Sequence, residues 1–467
     1  MSRISALDDT IVAIATPMGR GGIGIVRLSG PDAVRIVERI FQPAGPKRLG
    51  ETASHRLVYG WIVLPDQEAR VDEVLVAVMR APKTYTRQDV VEIHCHGGSA
   101  ILRTVLEETC RLGARPADPG EFTKRAFLNG RIDLAQAEAV LDVISSSTRS
   151  FLKVSTAQLK GDLSRELGVI RDLLMKTYVY LEALVNFPED DDEVDKDTRM
   201  FPFLEEARSR ITKLVATARH GRLLKEGVRV VLCGRPNVGK SSLLNCLLKV
   251  PRAIVSGVAG TTRDTIEETA QIQGVPVYLT DTAGILTPRD ELEAAALERT
   301  RLAVEAADLV LVVLDAAEGV TEADLEILCS VRGQKILVVW NKCDLSTAFV
   351  HGTARDALEG DSEQIEVSAL RKTGLDRLEQ AIVRSVTGEI EDWHVNTLMI
   401  SNERHHQALQ ACQSLVGQAM EHLQGGLPLE FVSEDIKEAV RHLDRITGRD
   451  VDAELLETIF SQFCVGK

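Results

Sequence analysis

Apolar and polar positions alternate in four different ways along the 467 residues. Over the first 118 or so, short apolar runs sit between glycine, proline and polar clusters. Residues 11–15, 23–28, 59–63 and 74–79 read as strands, and Pro116, Pro119 and Gly120 close the stretch. From about residue 121 to 224 the spacing is helical with few breakers, and Leu134-Ala135-Gln136-Ala137-Glu138-Ala139-Val140-Leu141 is strongly helix-favouring. Residues 225–385 alternate β-type and helical runs, the pattern of a parallel sheet covered by helices. Helical spacing then resumes at 403–424, roughly 433–446 and 453–463, with Thr447-Gly448 dividing the last two. The expected organisation is therefore an N-terminal α/β domain (1–119), a helical domain in two parts (120–224 and 386–467) and an α/β domain (225–385) inserted between them.

The inserted domain carries the clearest chemistry. An apolar run at 228–233 leads into Gly234-Arg235-Pro236-Asn237-Val238-Gly239-Lys240-Ser241, followed by Ser242-Leu243-Leu244-Asn245. This is strand, loop and helix with the spacing G-x-x-x-x-G-K-[ST]. Gly234 and Gly239 let the backbone turn its N–H groups toward a phosphate chain, and the helix adds the positive end of its dipole. Lys240 can reach the β/γ-phosphates and Ser241 can hold Mg²⁺. Three later boxes narrow the ligand. A strand over 275–280 runs into Asp281-Thr282-Ala283-Gly284, where the acid can hold Mg²⁺ through water and the glycine can bond the γ-phosphate. A strand over 335–340 runs into Asn341-Lys342-Cys343-Asp344, and a carboxylate there accepts from the paired N–H donors of guanine. Adenine has no such pair, and a site left unpaired in this way rejects the wrong ligand by up to about 10⁴-fold. Residues 365–367 lead into Ser368-Ala369-Leu370, whose backbone can contact the guanine O6. In this order, each after a β-rich run, the boxes predict a Ras-like P-loop GTPase. Between the first two lies Ser256-Gly257-Val258-Ala259-Gly260-Thr261-Thr262-Arg263-Asp264, where a threonine can bind Mg²⁺ while the γ-phosphate is present and let go afterwards, as a switch does.

One position is wrong for unaided catalysis. A Gln after the D-x-x-G box orients the attacking water in Ras-type enzymes, and here that position is Ile285. Another side chain, a cation or a partner has to supply the help.

Composition bounds the rest. A net charge of −14 and a pI near 5.3 argue against a protein that wraps nucleic acid with a broad basic face. Eight cysteines without paired spacing suit a reducing compartment, and without a signal-like N-terminus or an apolar run approaching a membrane span a cytoplasmic protein is the expectation. Along a strand, His94 and His96 share one face and Cys95 the other, which disfavours a metal site. The acidic run Glu189-Asp190-Asp191-Asp192-Glu193 reads as a solvated loop. Gly19-Arg20-Gly21-Gly22-Ile23-Gly24 matches G-x-G-x-x-G, but the dinucleotide fingerprint must open a helix and this one runs into a β-type stretch, so a tight hairpin-like loop is predicted.

The chain resembles the MnmE (TrmE) tRNA-modification GTPases over essentially its whole length. The likeness is carried by Ala15-Thr16-Pro17 with the following glycine cluster, by Gly120-Glu121-Phe122-Thr123-Lys124-Arg125-Ala126-Phe127-Leu128-Asn129-Gly130, by the P-loop with Asn237, by Ala259-Gly260-Thr261-Thr262-Arg263-Asp264 and by Phe463-Cys464-Val465-Gly466-Lys467. The resemblance implies a homodimer formed through an N-terminal domain that binds 5-formyl- or methylene-tetrahydrofolate. It implies an FAD-containing, NADH-using MnmG-like partner in a heterotetramer, and installation of a carboxymethylaminomethyl or aminomethyl group at carbon 5 of the wobble uridine of certain tRNAs. GTP hydrolysis would depend on K⁺, which promotes dimerisation of the GTPase domains.

By that resemblance Arg27, Glu92, Arg131 and Lys467 are the folate-contacting positions, with Arg131 where the family often has Lys. Asn237 would be the side-chain ligand of K⁺, completed by Ser256, Val258 and Thr261; Ser241 and Thr262 would hold Mg²⁺. Glu293, twelve positions after Asp281, would orient water in place of the missing Gln, and Cys464 would serve tRNA modification; its own sequence context allows a flexible tail. Leu286 and Thr287 depart from the family's usual Arg and Glu, which bears on the switch contacts. Two rivals are weighed against this reading: an Era- or Der-type ribosome-assembly switch, which lacks the N-terminal and C-x-G-K segments, and a folate-dependent methyltransferase with a regulatory GTPase part, for which no acceptor site beyond Cys464 is visible.

Overall fold

The computed structural model describes residues 8–64, 69–186, 196–248, 268–281, 301–345, 363–388 and 398–467. They form two compact units, the first from residues 1–141, 158–171 and 437–467, the second from 142–157 and 172–436.

In the first unit, seven described strands form one sheet: β1 (Ile11–Ile14), β2 (Ile23–Ser29), β3 (Phe41–Pro43), β4 (Arg56–Leu64), β5 (Ala69–Met79), β6 (Val90–His96) and β7 (Arg115–Pro116), in the order β3-β4-β5-β6-β2-β1-β7. Their period of two sends Val26, Leu28, Val74, Val76, Val91 and Ile93 to one face. There α1 (Ala33–Glu38) and α2 (Ser99–Arg111) bury them. The opposite face carries Arg27, Glu92 and His94 in register, with Arg27 opposite Glu92 and Ile25 opposite His94. The glycine-rich segment is the connection between the antiparallel strands β1 and β2, as its β-type sequel predicts, and no helix follows it. Gly21 N–H donates to the Gly97 carbonyl at 3.3 Å, and a Cβ on Gly97 would lie 2.3 Å from the Gly21 oxygen, so the two loops touch backbone to backbone.

Next come α3 (Glu121–Leu128), α4 (Leu134–Ser145), α5 (Arg149–Leu159), α6 (Asp162–Asn186), α7 (Lys196–Ala216) and α8 (Ala218–Glu226). The second unit contains a six-stranded sheet, counted over the described residues: β8 (Val228–Cys233), β9 (Glu268–Ile272), β10 (Val275–Asp281), β11 (Leu309–Asp315), β12 (Ile336–Asn341) and β13 (Gln364–Glu366), ordered β13-β12-β11-β8-β10-β9. All neighbours run parallel except the edge strand β9. Residues of β11 are buried throughout, as a strand covered on both faces requires. Leu309, Leu311 and Val313 pack toward α9 (Lys240–Leu247) and α11 (Leu375–Thr387); Val310, Val312 and Leu314 pack toward α10 (Glu322–Ser330).

The helices on either side of this sheet meet. Gln413 in α12 (Glu403–Gln424) donates to the Thr212 hydroxyl at 2.8 Å, and Ser433 in α13 (Leu429–Thr447) donates to Glu182 at 2.6 Å. α13 begins four residues before its predicted start, directly after Pro428. In the first unit, Arg171 pairs with Asp444 at 2.8 Å, and α14 (Ala453–Ser461) packs Phe460 with Phe463 against Phe127 and Leu134. Among the described residues, no helix is long and apolar enough to cross a membrane.

Candidate functional sites: a phosphate and base cradle, and an N-terminal cationic cleft

The cradle lies at the carboxyl ends of the parallel strands, where α/β sheets place their ligands. At the end of β8, Gly234 has φ +155°, and a Cβ on it would sit 2.5 Å from the Val313 carbonyl. Asn237 is in the left-handed region at φ +66°, which asparagine tolerates, and its side chain is exposed. Gly239, at φ +97°, leaves room for Asn341: a Cβ there would meet Asn341 Nδ2 at 2.2 Å. Lys240 opens α9, buried, and its Nζ donates to the carbonyls of Gly234 at 2.8 Å and Arg235 at 2.9 Å. Burial holds its ammonium below the ordinary lysine range. Ser241 and Ser242 follow on the exposed side.

Ser241 Oγ, in the first turn of α9, donates to Asp281 Oδ2 at the end of β10 at 2.7 Å. Asp281 Oδ1 is buried with no hydrogen-bond partner among the described residues. A buried carboxylate oxygen left over beside a serine hydroxyl fits a hydrated Mg²⁺. Arg235 anchors the loop sideways, pairing with Glu318 at 2.9 Å and the buried Asp324 at 3.0 Å.

On the base side, Asn341 at the end of β12 is buried and bonded twice. Its Nδ2 donates to the Val238 carbonyl at 2.8 Å, and its Oδ1 accepts from Ala369 N–H at 3.0 Å. Lys342, at φ +63°, donates to Asp315 at 2.6 Å. The Asp344 carboxyl is held below the usual range, first by a hydrogen bond from Ser368. Ala369 is also gripped by the Cys246 thiol, which donates to its carbonyl at 3.2 Å, while Leu370 is exposed. Asn237, Val238, Gly239, Lys240, Ser241, Ser242, Asp281, Asn341, Lys342, Asp344, Ser368, Ala369 and Leu370 are thus set along one edge of the sheet. Ser256, Gly257, Val258, Ala259, Gly260, Thr261, Thr262, Thr282, Ala283, Gly284 and Glu293 lie outside the described residues.

In the first unit, Arg27 Nε donates to Glu92 Oε1 at 2.7 Å and its Nη1 donates to the Gly466 carbonyl at 3.0 Å. The guanidinium stands 5.8 Å from the Phe122 ring centroid. Phe122 N–H, in the first turn of α3, donates to the Lys467 carbonyl at 3.2 Å, and Gly120 N–H to that of Cys464 at 3.5 Å. Gly466 has φ +94°, and a Cβ on it would lie 2.7 Å from the Ile14 carbonyl. The segment carrying Cys464 is therefore fastened at three residues, unlike the loose tail expected from sequence; Cys464 itself is exposed. Burial, then the neighbouring Arg27, lowers the Lys467 ammonium from its ordinary range. Arg131 stacks over Tyr85 at 4.8 Å, and the Tyr85 hydroxyl lies 2.8 Å from Thr123 Oγ1. Beneath α3, Arg125 is buried between Asp9 and Glu121, which also bind Arg115.

Residues 10–131 match the family model of the GTP-binding protein TrmE N-terminus, and residues 134–464 that of the MnmE helical domain. The tRNA modification GTPase MnmE of Moorella thermoacetica is 45% identical over 463 residues, covering 99% of this chain and 100% of the relative. The chain belongs to the MnmE family. The family's protein from Chloroflexus aurantiacus is likewise 45% identical, over 461 residues, with 99% and 100% covered. Among solved structures, an Era variant of Aquifex aeolicus bound to GDP and aluminium fluoride matches at 30% identity over 40% of this chain and 66% of that one, with a TM-score of 0.28.

Within this MnmE-family chain, the N-terminal cleft has members that sequence reasoning did not single out. Phe122 lies inside the Gly120–Gly130 motif, Tyr85 carries no local signal in the sequence, and the strand spacing of His94 speaks only against a metal site. The signal available for His94 was its period-two spacing from Glu92.

Proposed function

We propose that the chain is a GTP hydrolase that acts in tRNA modification. The carrying observation is the convergence of Lys240, the Ser241–Asp281 pair and the Asn341–Ser368 loops on one sheet edge. In this reading the backbone at Asn237–Lys240 and the Lys240 ammonium bind the phosphates, and Asp344 accepts from the guanine N–H donors. Ser241, with Thr262, would hold Mg²⁺, with Asp281 receiving its water. When bound, the metal offsets charge that builds on the phosphate oxygens.

The finer reading follows the family resemblance. Asn237, exposed at the rim of the loop, would offer its side-chain oxygen to K⁺ together with Ser256, Val258 and Thr261. Glu293 would orient the water that Ile285 cannot. Arg27, Glu92, Arg131 and Lys467 would hold 5-formyl- or methylene-tetrahydrofolate, whose anionic tail suits the excess of cations in the cleft. Cys464, with an FAD-containing MnmG-like partner, would serve the transfer of an aminomethyl or carboxymethylaminomethyl group to C5 of the wobble uridine. A homodimer that joins the partner in a heterotetramer and works in the cytoplasm completes the proposal.

The test compares GTP turnover in K⁺ and in Na⁺. Turnover faster by about tenfold or more in K⁺, and lost selectively in Asn237→Ala, is expected, since one oxyanion-stabilising group contributes at least that much. Equal rates in the two salts remove the K⁺ mechanism. Copurification of ribosomal subunits in place of tRNA and the flavoprotein would favour the ribosome-assembly rival.

A further inference from the structure

Residues 315–324, from the end of β11 into the first turn of α10, belong to none of the nucleotide boxes. Two buried acids of this segment nevertheless hold cations from two of those boxes. Asp315 Oδ2 accepts from Lys342 Nζ at 2.6 Å, and its Oδ1 accepts from Ala317 N–H at 2.9 Å. Burial alone would raise the Asp315 carboxyl, but these bonds outweigh it and hold it below the ordinary range. Asp324 Oδ1 accepts from Arg235 Nε at 3.0 Å, while its Oδ2 is spent within the turn on Thr321 N–H and Oγ1. Glu318 accepts from Arg235 Nη2 at 2.9 Å.

Each tie fixes a backbone feature that the cradle uses. Lys342 lies at φ +63°, a conformation that a residue with a Cβ keeps only where its surroundings impose it. Three contacts impose it. Asp315 holds the ammonium, Ala316 N–H donates to the Asn341 carbonyl at 2.8 Å, and Cys343 N–H donates to the Val367 carbonyl at 3.3 Å. In the phosphate loop, the Arg235 carbonyl accepts from Lys240 Nζ at 2.9 Å. The Arg235 side chain, held by Asp324 and Glu318, therefore sets where Lys240 rests.

We infer that residues 315–324 form one brace for both halves of the cradle: Asp315 is a positioning residue for the base box, and Asp324, through Arg235, for the phosphate loop. This rests on the GTP-hydrolase reading of the cradle. The two ties act at opposite ends of the nucleotide, so kinetics separates them. Asp315 bears on the base, which is held alike before and during the reaction, and so on KM. Arg235 bears on Lys240, which meets the phosphates where charge develops, and so on kcat.

GTP turnover by the full chain tests this. Asp315→Ala raises KM about tenfold, the size of one charge-assisted hydrogen bond, and keeps kcat within about twofold. Asp315→Asn keeps an acceptor for Lys342 and Ala317, and its KM stays within a few-fold of the unchanged protein's. In a Lys342→Met background, Asp315→Ala raises KM little further, because both changes remove the same tie. Arg235→Ala, at a half-buried loop position, reads the other half of the brace independently and lowers kcat about tenfold or more. An unchanged KM in Asp315→Ala, or additive effects of Asp315→Ala and Lys342→Met, overturns the role of Asp315. An unchanged kcat in Arg235→Ala overturns that of Asp324. Losses in KM and kcat that run in the same proportion in both variants mark a merely loosened domain and overturn the brace. No GTP turnover by the unchanged protein overturns the hydrolase reading and this inference with it.

Discussion

Asn341 Nδ2 donates to the Val238 carbonyl at 2.8 Å, so a residue of the base-recognition box holds the phosphate loop in place. Its other atom, Oδ1, accepts from Ala369, so one buried amide ties together three loops that are more than 25 residues apart in sequence. Gly239 is the residue whose missing side chain makes room for it. Asn341→Ala leaves Val238 C=O and Ala369 N–H without these partners. Each lost bond is worth about 1 kcal/mol, so GTP affinity should fall by about tenfold or more. Fluorescent GTP-analogue binding measures it; unchanged affinity would mean that the loops are held by other contacts.

Asp9 and Glu121 predict an acid-labile joint. Burial alone raises both carboxyls, but the hydrogen bonds and charges of Arg115 and Arg125 outweigh it and hold both below the ordinary carboxylate range. Groups lowered in this way stabilise the fold above their unfolded pKa, about 4, and that stability is lost as the pH falls through the folded value. In Arg125→Met the lowering is weaker, so the acid unfolding midpoint of the first unit should move to higher pH. At neutral pH the same change should cost about 3 kcal/mol, the scale for breaking a buried ion pair. Circular dichroism across an acid titration reads the midpoint.

Gly466→Ala tests the fastening of the tail. Alanine at φ +94° is strained, and its methyl would collide with the Ile14 carbonyl. The Gly466 carbonyl should then leave Arg27, and 5-formyltetrahydrofolate binding should weaken by about tenfold, the scale of a charge-assisted hydrogen bond. Equal affinity in calorimetry would place the tail outside the ligand's reach.

Cys464→Ser should abolish the wobble-uridine modification in cells. Digested tRNA from a strain carrying this variant should lack the modified nucleoside, and normal levels would remove Cys464 from the chemistry. The segment is fastened beside Cys464, so transfer chemistry at this thiol must occur near the N-terminal cleft or follow release of the Gly120, Phe122 and Arg27 contacts.

The places of the phosphate loop, the Asn341 box and Ser368 after strands of one sheet were legible because each is a local run behind an apolar stretch. The hairpin reading of Gly19–Gly24 came from what followed it, a β-type stretch where a helix was required. The internal duty of Asn341 was not legible. Its bond to Val238 spans 103 positions, and no local pattern encodes a side chain that serves backbone so far away. Phe122, Tyr85 and His94 were obscured for a related reason. Phe122 and Tyr85 sit off the sheet among polar neighbours, and only the tertiary fold brings them against Arg27 and Arg131, while the strand spacing of His94 shows no more than that it shares a face with Glu92. Arg125 stands in the Gly120–Gly130 motif with no local sign of burial, and only the fold shows it buried.

The Arg27–Gly466 bond joins residues 439 positions apart. The seven-stranded sheet is built from residues between 11 and 116, yet one of its side chains relies on the carbonyl of residue 466. Loss of residues 464–467 alone would therefore strip partners from Arg27, Gly120 and Phe122 while touching no strand of the six-stranded sheet.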